Sequence, residues 1–397
     1  MVIGICCISL LALLGTSKVA CPGSSRYSDS LSSYFALQAS ALHPSCIASP
    51  TSTSDVSKVV AVLAAGSCKF AVRSGGHMWV PGASNIDAGV TVDLSALDSI
   101  QVGSNQTVSV GVAASWDSVF AALETHGLSV TGLTLGGGIS HFGPRFGWTS
   151  SQQENRDLFR GLKGGSNNFG IVTRIDFKTF AQGPLWAATI YHPLDTIDEQ
   201  MSVFADISKT ENYDDLASYI TGQGSQLLPS GVAQYLFATT TFQPILQMLH
   251  AAFDAWVASL DDVRAVEGVT WSLSLEPLPE GIFRRYAKGN VMGLENRRGT
   301  LIVCLLSQAW ADPDDNDRMY AASKALVENL EKAARRLGAY DPFLYLNYAA
   351  PWQNPIQTYG KASQTELQKL RARVDPRRVF TKLLENARAD IMRSIRT

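Results

Sequence analysis

The residues that could carry chemistry begin with a histidine that directly follows two glycines, in the segment Arg73-Ser74-Gly75-Gly76-His77. The apolar run Phe70-Ala71-Val72 precedes it and predicts a strand that ends at the loop. Adjacent glycines allow positive φ angles and a close approach of the backbone to a ligand. Main-chain N–H groups of such a turn can bind an anion, and Arg73 would add a positive charge. The alternative interpretation is a strand-ending turn with a surface histidine.

Two tyrosines form a second candidate, in the segment Tyr-Leu-Asn-Tyr-Ala-Ala-Pro at positions 345–351. A phenol titrates near pH 10 in water, so Tyr348 could act as a base only beside a positive group or a hydrogen bond that stabilises the phenolate. The strand-like pattern places Tyr345 and Tyr348 on opposite faces, so at most one of them would face a ligand. The alternative is a half-buried tyrosine in a sheet.

The periodicity of apolar residues predicts an α+β fold. Val56, Val59, Val60 and Leu63 follow a helical spacing, whereas 90–94 and 108–112 alternate as strands do. From about Pro184 the pattern changes to the strand-like runs 232–242, 269–275 and 301–310, separated by long amphipathic helices. This second region predicts an antiparallel sheet backed by helices.

Composition and spacing exclude several classes of site. Charged residues make up 17% of the 397 residues and the net charge is −2, so nothing indicates nucleic acid or a membrane as a partner. The glycine triplet 136–138 lacks the spacing of a dinucleotide fingerprint, and Lys163 precedes the glycines of 164–170 instead of following them as in a P-loop. The histidines lack the spacing of metal ligands, so no metal site is expected.

The N-terminal sequence predicts a secretory signal over residues 1–20, with a buried N-terminal helix as the alternative. Removal of that segment would take Cys6 and Cys7, and we then expect a disulfide among Cys21, Cys46 and Cys68 in an oxidising compartment. Cys304, in a buried-strand pattern, would be a free thiol. The sequon Asn105-Gln106-Thr107 predicts an accessible glycan.

Six motifs resemble, in order, those of the berberine bridge enzyme-like FAD-linked oxidoreductases. They are RSGGH (73–77), NIDAGVTVDLS (85–95), LTLGGGIS (133–140), GGSNNFGIVT (164–173), YLNYAAP (345–351) and VDPRRVF (374–380). The resemblance implies a PCMH-type FAD-binding domain at 42–183 and a substrate domain at 184–342. It also implies that a C-terminal segment, 343–397, returns to the flavin domain.

The resemblance also assigns roles to individual residues. His77 would bond covalently to the 8α-methyl group of FAD, and Tyr348 would be the catalytic base. The remaining cofactor-binding residues would be Arg73, Ser74, Gly75 and Gly76 at the pyrophosphate, Gly136, Gly137 and Gly138 in a second loop, Gly170, Ile171 and Val172 at the adenine end, and Asn347 at the flavin ring.

The implied protein is a secreted, monomeric FAD oxidase of secondary metabolism, with a small-molecule substrate and dioxygen as partners. Hydride would pass to the flavin and dioxygen would be reduced to hydrogen peroxide. The sequence departs from the family pattern at two points, and both oppose the prediction of an active oxidase. Family segments are missing between Gly132 and Leu133 and between Trp148 and Ser151. The alternative is a flavin-free, inactive remnant or an incorrectly joined chain that at most binds a ligand.

Overall fold

The structure is a computed structural model that describes residues 4–131, 151, 153–214, 217–224, 228 and 230–384. The chain divides into two compact units. The first comprises Met1–Ala187 with Glu366–Thr397, and the second comprises Ala188–Thr365. Among the described residues, no helix is both long and apolar enough to cross a membrane.

The first unit combines helices with short strands. Its elements up to residue 187 are α1 (Ile5–Leu14), β1 (Val19–Ala20), α2 (Ser25–Ser32), α3 (Leu37–Ser40), β2 (Cys46–Ala48), α4 (Thr53–Ala65), β3 (Phe70–Arg73), β4 (Val90–Asp93), β5 (Ile100–Gly103), β6 (Thr107–Gly111), α5 (Trp116–Glu124), β7 (Leu128–Ser129), α6 (Arg156–Leu162), β8 (Arg174–Lys178) and β9 (Phe180–Ala181). They form three sheets with strand orders β1-β2-β4-β3, β5-β6-β8 and β7-β9.

The predicted helix before the glycine loop is confirmed as α4. The Ser52 hydroxyl caps it by accepting from the Asp55 N–H at 3.1 Å, which satisfies one of the free donors of the first turn. Val59 and Leu63 on its inner face are fully buried in a core that also contains Phe70. Strand β3 runs parallel to β4, and its last residue, Arg73, pairs with Asp93.

Two disulfides link α1 to this core. Cys6 bonds to Cys68 and Cys7 bonds to Cys46, whereas Cys21 and Cys304 are free thiols. The predicted bridge among Cys21, Cys46 and Cys68 is therefore wrong, because α1 carries the partners of the last two cysteines. The predicted free thiol at Cys304 is confirmed, and its side chain is fully buried. Helix α1 corresponds to the alternative of a buried N-terminal helix, and cleavage after residue 20 stays a prediction.

The second unit contains one antiparallel sheet with helices. Its elements are α7 (Ile197–Ile207), β10 (Thr221–Gln223), β11 (Gln234–Phe242), α8 (Leu246–Val263), β12 (Thr270–Leu278), α9 (Glu280–Tyr286), β13 (Leu301–Trp310), α10 (Asn316–Arg336), β14 (Tyr340–Asp341) and α11 (Pro355–Thr358). The strand order is β10-β12-β13-β11-β14, and every pairing is antiparallel. The predicted α+β class and the sheet backed by helices are confirmed.

The two faces of this sheet differ in their surroundings. Leu275 and Cys304 are register partners, and both belong to the core that packs against α8 and α10. Because successive side chains of a strand point to opposite faces, Glu276 and its partner Val303 lie on the other face.

The C-terminal part of the chain is shared between the units. Residues 343–365 fold with the second unit, and 366–384 fold with the first. Helix α12 (Lys361–Val374) spans the division, and α13 (Val379–Lys382) follows it. Leu384 then forms a parallel bridge with Phe70 at the start of β3.

Candidate active site

The loop after β3 presents backbone donors. Ser74 is buried and its hydroxyl donates to the carbonyl oxygen of Val112 at 2.7 Å, while Gly75 is exposed. Gly76 adopts a φ of 69°, a conformation that favours glycine. Within the described part of the chain, the N–H groups of Ser74, Gly75 and Gly76 donate to no backbone carbonyl. These three donors can therefore serve an anionic ligand.

The Arg73 side chain lies in the protein interior, with 5% of the residue exposed. Its guanidinium donates to the carbonyl oxygen of Ser30 at 2.6 Å and to the hydroxyl of Ser33 at 2.7 Å. It also lies over the Tyr34 ring at 4.3 Å and 3.6 Å from the Asp93 carboxylate. The prediction that this charge meets a pyrophosphate needs correction, because the fork is occupied by α2 and the residues that follow it. A backbone contact from Arg73 stays a prediction.

The Arg73 side chain instead packs against Gly76 of the loop. A Cβ atom on Gly76 would lie 3.1 Å from Arg73 Nε and 3.2 Å from Arg73 Nη2. The second glycine of the motif is thus required both for its φ angle and for the space that the guanidinium fills. The loop and the Arg73 side chain pack directly against each other, which explains why a glycine stands three residues after the arginine.

His77 is half-buried and its imidazole stacks on the Phe35 ring, with 4.0 Å between centroids and 13° between planes. Burial lowers the pKa of His77 below its ordinary value, because a partly desolvated imidazolium is disfavoured. The shift favours the neutral form of the ring. A neutral imidazole is the form that can act as a nucleophile.

The second glycine-rich segment of the described chain, 164–173, contains an unpartnered polar atom. Asn168 is fully buried; its amide nitrogen donates to the carbonyl oxygen of Gly165 at 2.8 Å, and its Oδ1 has no hydrogen-bond partner among the described residues. Gly170 has a φ of 152°. Ile171 and Val172 pack at the edge of the α4 core, each 9% exposed.

These observations fit FAD. The N–H groups of 74–76, which donate to no backbone carbonyl of the described residues, suit the anionic pyrophosphate. The buried oxygen of Asn168 suits a ligand that brings its own donor, such as an amino or hydroxyl group. Gly136, Gly137 and Gly138, predicted as a second cofactor loop, lie outside the described residues, as does His141.

In the second unit, the tyrosine segment is a turn and not a strand. The Tyr348 N–H donates to the Tyr345 carbonyl oxygen at 3.1 Å, and the two rings meet edge to face with centroids 4.9 Å apart. The prediction that they point to opposite faces is wrong, because a turn replaces the alternation of a strand. Asn347 donates to the Tyr345 hydroxyl at 3.0 Å, so Tyr345, Asn347 and Tyr348 form one cluster.

Glu276 completes this cluster, and the sequence analysis missed it. The Tyr348 hydroxyl donates to both carboxylate oxygens, at 3.3 Å to Oε1 and 3.2 Å to Oε2. Burial raises the pKa of Glu276 to about 7, although the Tyr348 hydrogen bond acts in the opposite direction. Burial and the neighbouring Glu276 charge raise the pKa of Tyr348. The one available signal was a carboxylate in an otherwise uncharged strand, Thr270–Leu278.

The cluster therefore does not supply the stabilised phenolate that a simple tyrosine base requires. Glu276 is the group of the pair that can accept a proton near neutral pH, and Tyr348 is the donor that it orients. Among the described residues, no group of three or more His, Cys, Asp or Glu side chains could hold a metal ion.

Comparisons with known proteins place the chain in a family. A family model described as an FAD binding domain matches residues 44–153. The FAD-dependent monooxygenase tpcD of Cochliobolus heterostrophus is 30% identical over 444 residues, covering 88% of this chain and 86% of that protein. The Oligopeptidase PhomG' of Diaporthe leptostromiformis is 34% identical over 95% of this chain, which spans only 37% of that protein.

A solved structure shares the fold. The glucooligosaccharide oxidase of Acremonium strictum, described with a 6-S-cysteinyl, 8α-N1-histidyl FAD, superposes with a TM-score of 0.74 at 15% identity, covering 95% of this chain and 98% of that one. The order of motifs, the matched FAD domain and the full-length relative agree. The chain belongs to the berberine bridge enzyme-like family of FAD-linked oxidoreductases, which carry a PCMH-type FAD-binding domain.

Proposed function

We propose that this protein is an oxidase that removes a hydride and a proton from a small organic substrate, with FAD attached covalently to His77. When bound, FAD supplies the hydride acceptor and passes two electrons to dioxygen, which takes up two protons to give hydrogen peroxide. The observation that carries the proposal is the ring-stacked His77, directly after a loop whose N–H groups donate to no backbone carbonyl of the described residues.

The first unit would hold the cofactor. The N–H groups of Ser74, Gly75 and Gly76 would meet the pyrophosphate, and Gly170, Ile171 and Val172 would meet the adenine end. His77 would hold the cofactor through one bond from a ring nitrogen to the 8α-methyl carbon, with one proton lost from the imidazole, one from the methyl group, and dioxygen as the acceptor of the two electrons released.

The second unit would handle the substrate proton. Tyr348 accepts a proton from a substrate hydroxyl or amine as it passes its own proton to Glu276, so that neither a free phenolate nor a positive neighbour is needed. The hydrogen bonds of 3.2 and 3.3 Å between Tyr348 and Glu276 support this relay. Asn347 would hydrogen-bond the flavin ring, as the resemblance implies.

The alternative function, a flavin-free remnant that only binds, has an observation in its favour. The match to the full-length relative spans 444 aligned positions, more than the 397 residues of the whole chain, so the relative carries internal residues with no counterpart here. This agrees with the two segments expected to be missing beside Leu133 and Ser151. Loss of the second loop would leave the pyrophosphate with fewer donors, and an unsatisfied buried charge is costly.

The visible spectrum and acid precipitation of the purified protein decide between the two. We expect a flavin absorbance band and yellow colour that stays in the acid pellet, and His77→Ala should release the colour to the supernatant. A colourless protein supports the remnant, and a version with family-like segments restored at both junctions should then regain flavin. Peroxide release with substrate, without oxygen incorporation into the product, separates an oxidase from the monooxygenase that the fungal relative is named for.

We also propose that the protein acts outside the cell as a glycosylated monomer. The two disulfides, which exist only if residues 1–20 are retained, favour an oxidising compartment. Asn105 lies in the exposed turn between β5 and β6, where a glycan is accessible. Native mass measurement of the secreted protein before and after glycosidase treatment tests its secretion, its glycan and its monomeric state. It also shows whether residues 1–20 are retained.

A further inference from the structure

We propose that Phe35 is a positioning residue for flavin attachment, because its ring holds the His77 imidazole in the orientation in which a ring nitrogen meets the 8α-methyl carbon. The inference rests on the proposed function of His77 and goes beyond it, since Phe35 belongs to none of the six motifs. It assigns a task to segment 30–36, which comprises the end of α2 and the residues that link it to α3.

Segment 30–36 contacts the cofactor loop at both of its ends. At the start of the loop, Ser30 and Ser33 accept hydrogen bonds from the Arg73 guanidinium, at 2.6 to 3.2 Å. At the end of the loop, the Phe35 N–H donates to the Gly76 carbonyl oxygen at 3.1 Å. The backbone of Phe35 is therefore tied to the residue that directly precedes His77.

Tyr34 adds a third connection. Its hydroxyl donates to the Ser84 carbonyl oxygen at 3.0 Å, and its ring lies beneath the Arg73 guanidinium. Tyr34 is 2% and Phe35 6% exposed, so neither ring can leave its site without opening the packing. The Phe35 ring is thus held before any ligand arrives.

The stack restricts His77 in a way that suits attachment. A parallel ring at 4.0 Å opposes rotation of the imidazole about its Cβ–Cγ bond. In a neutral imidazole one ring nitrogen carries a proton and the other has its electron pair in the ring plane. Both nitrogens lie at the edge of the ring, so a stack on the face leaves that electron pair uncovered by Phe35. Orientation of a nucleophile before the reaction lowers the entropic part of the barrier.

Simple packing makes a different prediction from positioning. If Phe35 only fills space, leucine should replace it well, because leucine is apolar and buries almost as much surface. If the flat ring matters, leucine should fail and tryptophan should succeed. Phe177, which is half-buried and packs its ring against Trp116 at 5.7 Å in the same unit, offers a site for the same Phe→Leu change away from the loop.

The experiment follows the rate at which added FAD becomes covalent in full-length protein produced under riboflavin limitation, by fluorescence of the acid-denatured band. We expect Phe35→Leu to slow attachment about fivefold, the size of effect typical for loss of one aromatic contact. Phe35→Trp and Phe177→Leu should attach flavin at the parent rate. In flavin-free protein with labelled histidines, of which the chain has six, the His77 ring-proton signals should lose their ring-current shift in Phe35→Leu only.

The outcomes separate the inference from the function on which it rests. A parent without flavin, or with flavin that His77→Ala retains covalently, overturns the proposed attachment and this inference with it. A parent that carries His77-linked flavin, together with Phe35→Leu at the parent rate or Phe35→Trp as slow as Phe35→Leu, overturns the inference alone.

Discussion

Replacing Glu276 with glutamine keeps the size of the side chain and its ability to accept a hydrogen bond, but removes its ability to accept a proton. In the proposed relay, Tyr348 can take a proton from substrate only when Glu276 is ionised. Glu276→Gln should therefore lower the rate of flavin reduction by substrate about a hundred- to ten-thousandfold, the range typical for loss of a positioned base.

The pH dependence follows from the raised pKa of Glu276, about 7. About a tenth of the carboxyl groups are ionised one pH unit below that value and about nine tenths one unit above it. The parent rate of flavin reduction should then rise about tenfold from pH 6 to pH 8, and the variant should not show this rise.

The free energy of unfolding of the parent should fall over the pH range in which its rate of flavin reduction rises. A buried carboxyl group whose pKa is raised stabilises the fold at pH values below its unfolded pKa, and that contribution is lost as pH rises through the folded value. With a shift from 4.5 to about 7, the loss amounts to about 3 kcal/mol at alkaline pH. Glutamine stays neutral, so the variant should melt several degrees above the parent at pH 8 and close to it at pH 4.

The assay pairs stopped-flow flavin reduction from pH 5.5 to 8.5 with thermal unfolding at the same pH values. Glu267→Gln, a change at an exposed carboxylate of the same unit, is the control and should alter neither property. A Glu276→Gln enzyme that keeps the parent's pH profile would refute the relay. One that is slow and also less stable at pH 8 would show that Glu276 is needed for folding and not for proton transfer.

Three further changes test other parts of the structure. Tyr348→Phe should lower flavin reduction by about a hundred- to ten-thousandfold while covalent flavin per protein stays constant, as measured by absorbance of the acid-precipitated protein. Cys46→Ser should lower the free energy of unfolding by about 2–4 kcal/mol in denaturant titrations, whereas Cys21→Ser, at a free thiol, should leave it unchanged. Gly76→Ala and Gly127→Ala both place a Cβ at positive φ, at a cost of about 1 kcal/mol each. Only Gly76→Ala, which also crowds Arg73, should reduce flavin content, and equal flavin in both variants would contradict the role of the loop.

Elements that depend on neighbours in sequence could be predicted from the sequence. Helix α4 follows from its apolar spacing and its Ser52 cap, and the three long strands of the second unit follow from strand-like runs. The glycine loop and His77 were found in the same way, because glycine pairs have few uses and the motif is contiguous. The family followed from six such local motifs in order.

Contacts between distant residues could not be predicted in this way. Arg73 precedes a glycine loop in the sequence, which suggested an exposed anion ligand, yet its partners Ser30, Ser33 and Tyr34 lie about 40 residues earlier. The choice of disulfide partners was missed for the same reason, since spacing does not show which cysteines the fold brings together.

The electrostatics of the site were likewise decided by tertiary structure. Glu276 has no motif and meets Tyr348 only because strand β12 and the turn at 345–348 fold against each other across 72 positions of sequence. Its raised pKa comes from burial, a property of the surrounding fold and not of the residue. The amino-acid sequence alone thus determined which residues are available for chemistry, and packing decided which of them are neutral, which are paired and which can take a proton.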